Sequence, residues 1–125
     1  MKSKKVLLVE DNELLRTMYQ TKLSRSGLEV FVAKDGGEAI SFLKDHIVTI
    51  ILLDIMMPDI NGVEVLKSIR LNKNNINHKS KVFVLSNLNN QALMDEIVSL
   101  GIQEFITKAD MTPSQVLERI APHFA

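Results

Sequence analysis

The sequence predicts an α/β fold built on a parallel five-stranded sheet, and three observations carry that prediction. Apolar strand-like runs alternate with amphipathic helical stretches, five of each, along 125 residues. Three of the runs, VLLV, VTIILL and VFVL, are almost continuously apolar, the composition of strands covered on both faces. The other two, LEVFV and IQEFI, admit Glu29, Gln103 and Glu104 and belong at the edges. The first, third and fourth strands are therefore central, which matches the doubly wound order 2-1-3-4-5 of a three-layer (βα)5 sandwich.

The strands are expected over residues 4–9, 28–32, 48–53, 81–86 and 102–106. Asn12 is placed to cap the first helix, whose Leu14, Leu15, Met18, Tyr19 and Leu23 recur at helical spacing before Ser26 and Gly27 end it. Asp35 with Glu38, and Asn61 with Glu64, each put an acceptor at a cap and a carboxylate three residues on. Thr112, Pro113 and Gln115 open the last helix with a cap, a first-turn proline and a returning amide. Residues 72–80 form the longest connection and read as a solvated polar loop. Pro58 and Gly62 bracket a rigid turn after the third strand.

Composition narrows the function. The chain is long enough for one ordinary core, so a single domain over residues 1–125 is expected, with no internal repeat or low-complexity linker. Fifteen basic residues balance fifteen acidic ones, so no net field draws the chain toward nucleic acid or an anionic membrane. The absence of cysteine excludes disulfides and thiolate metal sites and fits a reducing compartment. The apolar run that follows Lys2, Lys4 and Lys5 is too short for a signal or membrane segment, which leads to the expectation of a cytoplasmic protein.

Placing the charged residues on the strand ends brings out the chemistry. Glu10 and Asp11 follow the first strand, Asp54 the third, Ser86 ends the fourth, and Lys108 lies just past the fifth. All fall on the carboxyl edge of the sheet, where ligands bind at the point of strand-order reversal. Three converging carboxylates repel one another unless a hard divalent cation or Lys108 offsets their charge. Oxygen ligands without His or Cys favour magnesium over zinc, and His46, His78 and His123 have no spacing that links them into a metal site. A carboxylate can attack phosphorus and form an acyl phosphate while cations stabilise the equatorial oxygens. Asp54 is the best-placed nucleophile, with the Ser86 hydroxyl and the Lys108 ammonium as donors to the transferring group.

The segments VLLVEDN, ILLDIMMPDINGVEVL, VFVLSN and FITKA, in this order and at this spacing, resemble the signature segments of receiver domains of two-component response regulators, the CheY-like family of flavodoxin-like fold. The resemblance spans essentially the whole chain. It implies that Asp11 and Asp54 bind Mg2+ directly, that Glu10 acts largely through water, and that the Met56 carbonyl completes the protein ligands. It further implies that Asp54 takes a phosphoryl group from a sensor histidine kinase or histidine phosphotransfer protein, that Lys108 contacts it, and that Ser86 and Phe105 form a switch pair. The output would be a changed protein-binding surface on helix four, strand five and helix five, as a monomer or a phosphorylation-dependent dimer, whether the regulator stands alone or belongs to a larger protein. Catalysis would be limited to the chain's own phosphorylation and dephosphorylation.

Two positions depart from the family pattern. Ala109 stands where proline joined by a cis bond is usual, which puts the reach of Lys108 in question. Asn87 replaces a commonly small residue, and its side chain is expected over the phosphorylation site, either shielding the acyl phosphate or orienting a water. Two other functions compete. A haloacid-dehalogenase-like phosphatase also uses an aspartate nucleophile and magnesium, but it wants an acid two residues after Asp54, where Met56 stands. A pseudo-receiver would bind partners without phosphorylation, although every chemical position here is filled.

Overall fold

The computed structural model describes residues 4–57 and 61–124. Five β-strands alternate with five α-helices: β1 (Lys5–Val9), α1 (Glu13–Arg25), β2 (Glu29–Ala33), α2 (Gly36–Asp45), β3 (Ile50–Leu53), α3 (Gly62–Arg70), β4 (Lys81–Ser86), α4 (Gln91–Leu100), β5 (Glu104–Thr107) and α5 (Pro113–Ile120). Short 3-10 turns follow at Lys108–Asp110 and Ala121–Phe124. The strands are all parallel and lie in the order β2-β1-β3-β4-β5, the expected doubly wound order with the polar-containing runs at the edges.

Strand periodicity divides the core into two layers. Leu7, Val9, Ile51, Leu53, Val82 and Val84 face the side covered by α2, α3 and α4, where they meet Leu43, Leu66 and Ile97. Val6, Leu8, Ile50, Leu52, Phe83 and Leu85 face the side covered by α1 and α5, where they meet Leu23, Val116 and Ile120. Every residue of β3 is buried, whereas β2 and β5 each carry half-buried and exposed positions. That contrast is what the Glu29, Gln103 and Glu104 substitutions into the edge runs reflect.

The expected caps form. Asn12, Asp35 and Asn61 each accept a backbone N–H of the first helical turn, and Thr112 with Gln115 closes a reciprocal capping box. The Glu38 carboxylate reaches one residue further back than a capping box requires, to the Lys34 N–H. Pro58 lies outside the described residues.

Some expectations need correction, among them the fifth strand, which runs Glu104–Thr107 rather than over residues 102–106. The third strand starts at Ile50 rather than residue 48, because the Val48 N–H is taken by the Asn77 side chain at 2.9 Å instead of a neighbouring strand. The same contact shows that residues 72–80 are not simply a solvated loop. Asn77 is fully buried, and its amide also donates to the Leu43 and His46 carbonyls while accepting from Ser80 Oγ. One amide thus satisfies backbone groups where α2 ends and β3 begins, groups that would otherwise be stranded in the interior.

Candidate phosphoryl-acceptor site

Parallel register assembles the site. Val9 pairs with Leu53 and Leu53 with Val84, so the residues that leave β1 and β3 emerge side by side with the end of β4 next to them. Ser86 pairs with Thr107, which places Lys108 one step beyond the end of the ladder. The Glu10 N–H donates to the Ala33 carbonyl and the Asp54 N–H to the Val9 carbonyl, extending the ladder through both acids and fixing their backbones.

The structure brings together Glu10, Asp11, Asp54, Met56, Ser86 and Lys108 around one cavity at the carboxyl edge of the sheet. Carboxylate oxygens of Glu10, Asp11 and Asp54 lie within 4.8 Å of one another. Glu10 and Asp54 are buried and Asp11 is exposed. Lys108 Nζ sits between the two buried acids, 2.5 Å from Glu10 Oε1 and 2.9 Å from Asp54 Oδ2. The remaining oxygens have backbone donors: Met56 N–H to Asp54 Oδ1 and Asn12 N–H to Glu10 Oε2, each at 3.1 Å.

The electrostatics follow from burial against pairing. Burial pushes the Glu10 carboxyl above its ordinary value, outweighing the hydrogen bonds from Lys108 and Asn12. Burial alone would lower the Lys108 ammonium, but its hydrogen bonds to Glu10 and Asp54 and their charges carry it above the ordinary lysine value. The site holds three acids and one base, so with all three ionised two negative charges are unmatched, and its all-oxygen donor set suits a hard divalent ion.

Lys108 reaches the acids through a peptide that is not cis; no described residue has a cis bond. The short 3-10 turn Lys108–Asp110 delivers the side chain. The Asn87 side chain also lines the cavity, and its Oδ1 accepts the Ala109 N–H at 2.8 Å. Ser86 is buried at the end of β4, and its hydroxyl accepts the Leu88 N–H at 3.2 Å. Phe105 lies away from the cavity, half-buried opposite Val84 and packed on the α2–α3–α4 side of the sheet. Two residues further along each strand come Ser86 and Thr107, so by strand alternation Ser86 and Phe105 share that face.

Arg16 escaped the sequence reading. From α1 its guanidinium donates to the carbonyls of Glu10 at 2.9 Å and Asp11 at 3.3 Å, bracing the turn that carries both acids. An arginine on an amphipathic helix has no distinguishing signal, and only the close return of α1 past β1 gives it this role. The three histidines sit elsewhere: His46 stacks on Phe42, His78 contacts the Ile69 carbonyl, and His123 lies edge-on to Phe83.

Comparison with known proteins agrees with this geometry. Residues 6–121 match the family model described as response regulator receiver domain. The chain is 33% identical over 118 residues to the chemotaxis protein CheY of Thermotoga maritima, covering 94% of each. It is 41% identical over 71 residues to the alkaline phosphatase synthesis transcriptional regulatory protein PhoP of Bacillus subtilis, covering 57% of this chain but 30% of that protein. Among solved structures, the phosphorylated cyanobacterial phytochrome response regulator RcpA superposes with a TM-score of 0.80 at 29% identity, covering 96% of this chain and 90% of that one. The chain therefore belongs to the response regulator receiver domain family, the signalling domains of two-component systems.

Proposed function

We propose that this chain is a single phospho-accepting switch domain in which Asp54 takes a phosphoryl group from a sensor histidine kinase or a histidine phosphotransfer protein. The observation that carries the reading is the placement of Lys108 Nζ against Asp54 Oδ2 beside two further acids at the carboxyl edge of the sheet. RcpA, a relative of the same fold, is described in its phosphorylated form, which supports the same chemistry here.

In the transfer, an Asp54 carboxylate oxygen forms a bond to phosphorus while the donor's phosphorus–nitrogen or phosphorus–oxygen bond breaks, and the electron pair leaves with the donor. Met56 N–H holds Asp54 Oδ1, which leaves Oδ2, the oxygen now facing Lys108, as the one to attack. Lys108 stays with the phosphoryl oxygens as a point charge on a flexible stem. Asp11, Asp54 and the Met56 carbonyl would hold Mg2+, with Glu10 acting through water. The ion, once bound, would neutralise charge on the phosphoryl oxygens.

The switch follows from the position of Ser86. Among the described residues its hydroxyl is held by the Leu88 N–H alone, and moving toward a phosphoryl group at Asp54 would pull residues 87–90 and the start of α4 after it. α4 suits such a shift because Ile97 is its only fully buried side chain. Phe105 would fill the space vacated on the shared face, changing the α4–β5–α5 surface that a downstream protein meets. A minor active state populated at a few per cent needs only about 2 to 3 kcal/mol of added stabilisation to dominate.

Incubation with Mg2+ and acetyl phosphate, read by intact mass, tests the reading. One stably added phosphoryl group per chain, lost in Asp54→Asn, is expected. Catalytic turnover of acetyl phosphate without a stable adduct would indicate a phosphatase, and no uptake at all would indicate a pseudo-receiver.

A further inference from the structure

The backbone N–H of Ala109 donates to Asn87 Oδ1 at 2.8 Å, joining the loop after β4 to the turn after β5. Because the donor is a backbone N–H, the atom that faces it has to be the amide oxygen. That settles which way the amide is turned and leaves its NH2 group on the other side. Asn87 is exposed and lines the cavity that holds Asp54, Ser86 and Lys108. With the oxygen engaged, the free end of this side chain is purely a donor.

We propose that Asn87 is a further phosphoryl-contacting residue: clamped by the Ala109 N–H, its NH2 group donates to a phosphoryl oxygen on Asp54 and prolongs the acyl phosphate. The proposal rests on the reading of Asp54 as the acceptor. The chemistry of the free end separates the two roles open to this side chain. A group that readies a water for attack must accept a proton from it, and this NH2 cannot. Ionised phosphoryl oxygens only accept, so they match a donor.

In hydrolysis, a water oxygen forms a bond to phosphorus as the bond from phosphorus to the Asp54 oxygen breaks. The electron pair returns to the carboxylate, and inorganic phosphate leaves with the water's protons shared between it and solvent. Asp54 is buried, so the in-line water arrives from the open side of the cavity, where Asn87 is exposed. The Asn87 NH2 group holds the phosphoryl oxygens at that same mouth.

The test uses the full chain phosphorylated by acetyl phosphate with Mg2+, then freed of donor, with loss of the phosphoryl group followed by intact mass. Asn87→Ala removes the amide, and Asn87→Leu removes it while keeping similar bulk. Both should lose phosphate about fivefold to tenfold faster than wild type, the effect of one partly exposed charge-assisted hydrogen bond, with thermal stability little changed. The clamp is read separately by hydrogen exchange of the Ala109 amide, which should accelerate in both variants without any phosphate present. An Asn87→Leu adduct as long-lived as wild type would show a steric cover rather than a donor and overturn the proposal. Unchanged Ala109 exchange would overturn the clamp. A wild-type chain that takes up no phosphoryl group overturns the Asp54 reading, and this proposal with it.

Discussion

Replacing Lys108 with methionine probes the charge balance of the site most directly. Lys108 Nζ contacts both Glu10 and Asp54, whose side chains are only 2% and 6% exposed, so its removal leaves two buried carboxylates facing each other. Breaking a fully buried ion pair by deleting one partner costs about 3 to 5 kcal/mol. Here the cost is smaller, because the Met56 and Asn12 N–H groups still hold one oxygen of each acid and the cavity opens to water at Asp11. Methionine also keeps the packing of the stem. A loss of about 2 kcal/mol at neutral pH follows, or roughly 6 to 8 °C in Tm for a chain of this length.

The pH dependence has a definite sign. Glu10 is already pushed above its ordinary value by burial and loses a lowering partner in the variant, so the native state binds a proton that the unfolded chain releases at lower pH. Stability of the variant should therefore recover as pH falls from 8 toward 5, and its deficit should be largest at the alkaline end. In the wild type, the raised Lys108 contributes stability that is complete below the ordinary lysine value and is lost as pH rises through its higher folded value. The variant lacks that alkaline step. Urea denaturation across pH, with and without Mg2+, measures both effects, and Mg2+ should stabilise the variant more than the wild type. A Lys108→Met protein within 0.5 kcal/mol of wild type at every pH, with the same Mg2+ response, would refute the view that this ammonium offsets the acids.

Three further outcomes are expected. Asp54→Asn should abolish phosphoryl uptake while shifting Tm by no more than about 2 °C, since it removes one Lys108 partner together with one source of repulsion on Glu10; calorimetry and intact mass check the two halves. Gly62→Ala should destabilise by about 2 kcal/mol in urea titration. Its Cβ would lie 2.7 Å from Ile55 Cα and collide with the Asp54 carbonyl, which outweighs the roughly 1 kcal/mol that alanine gains in a helix. Asn77→Ala should cost about 3 kcal/mol, because it strands the Val48 N–H and the Leu43 and His46 carbonyls; a change under 1 kcal/mol would show that water replaces the amide.

The strand runs and caps were legible because their determinants are local. An apolar run covered on both faces, an asparagine before a helical pattern, or a proline in a first turn acts within a few residues of itself. The edges of the sheet were also legible, since the polar residues in β2 and β5 mark which strands have an uncovered side, and the order 2-1-3-4-5 is the doubly wound arrangement that matches them. Asn77 was not. An asparagine in a polar stretch has the composition of a solvated loop, and its burial depends on a contact with residues about thirty positions away.

For this chain, sequence alone determined the fold class, the sheet order and the convergence of Glu10, Asp11, Asp54, Ser86 and Lys108 at one edge. The fold class follows from the alternation of strand and helix patterns, the sheet edges from the polar residues in the outer runs, and the convergence from the rule that parallel strands send their carboxyl ends the same way. Only the tertiary structure decided how that charge is balanced. That Lys108 bridges both buried acids, that it does so from a turn without a cis bond, and that Arg16 and Asn87 brace the rim all depend on distances between loops far apart in the chain. Local patterning specifies where an element starts and which face it buries. The angle and reach of a side chain across a cavity are set by the packing of the segments that surround it, which come from distant parts of the chain.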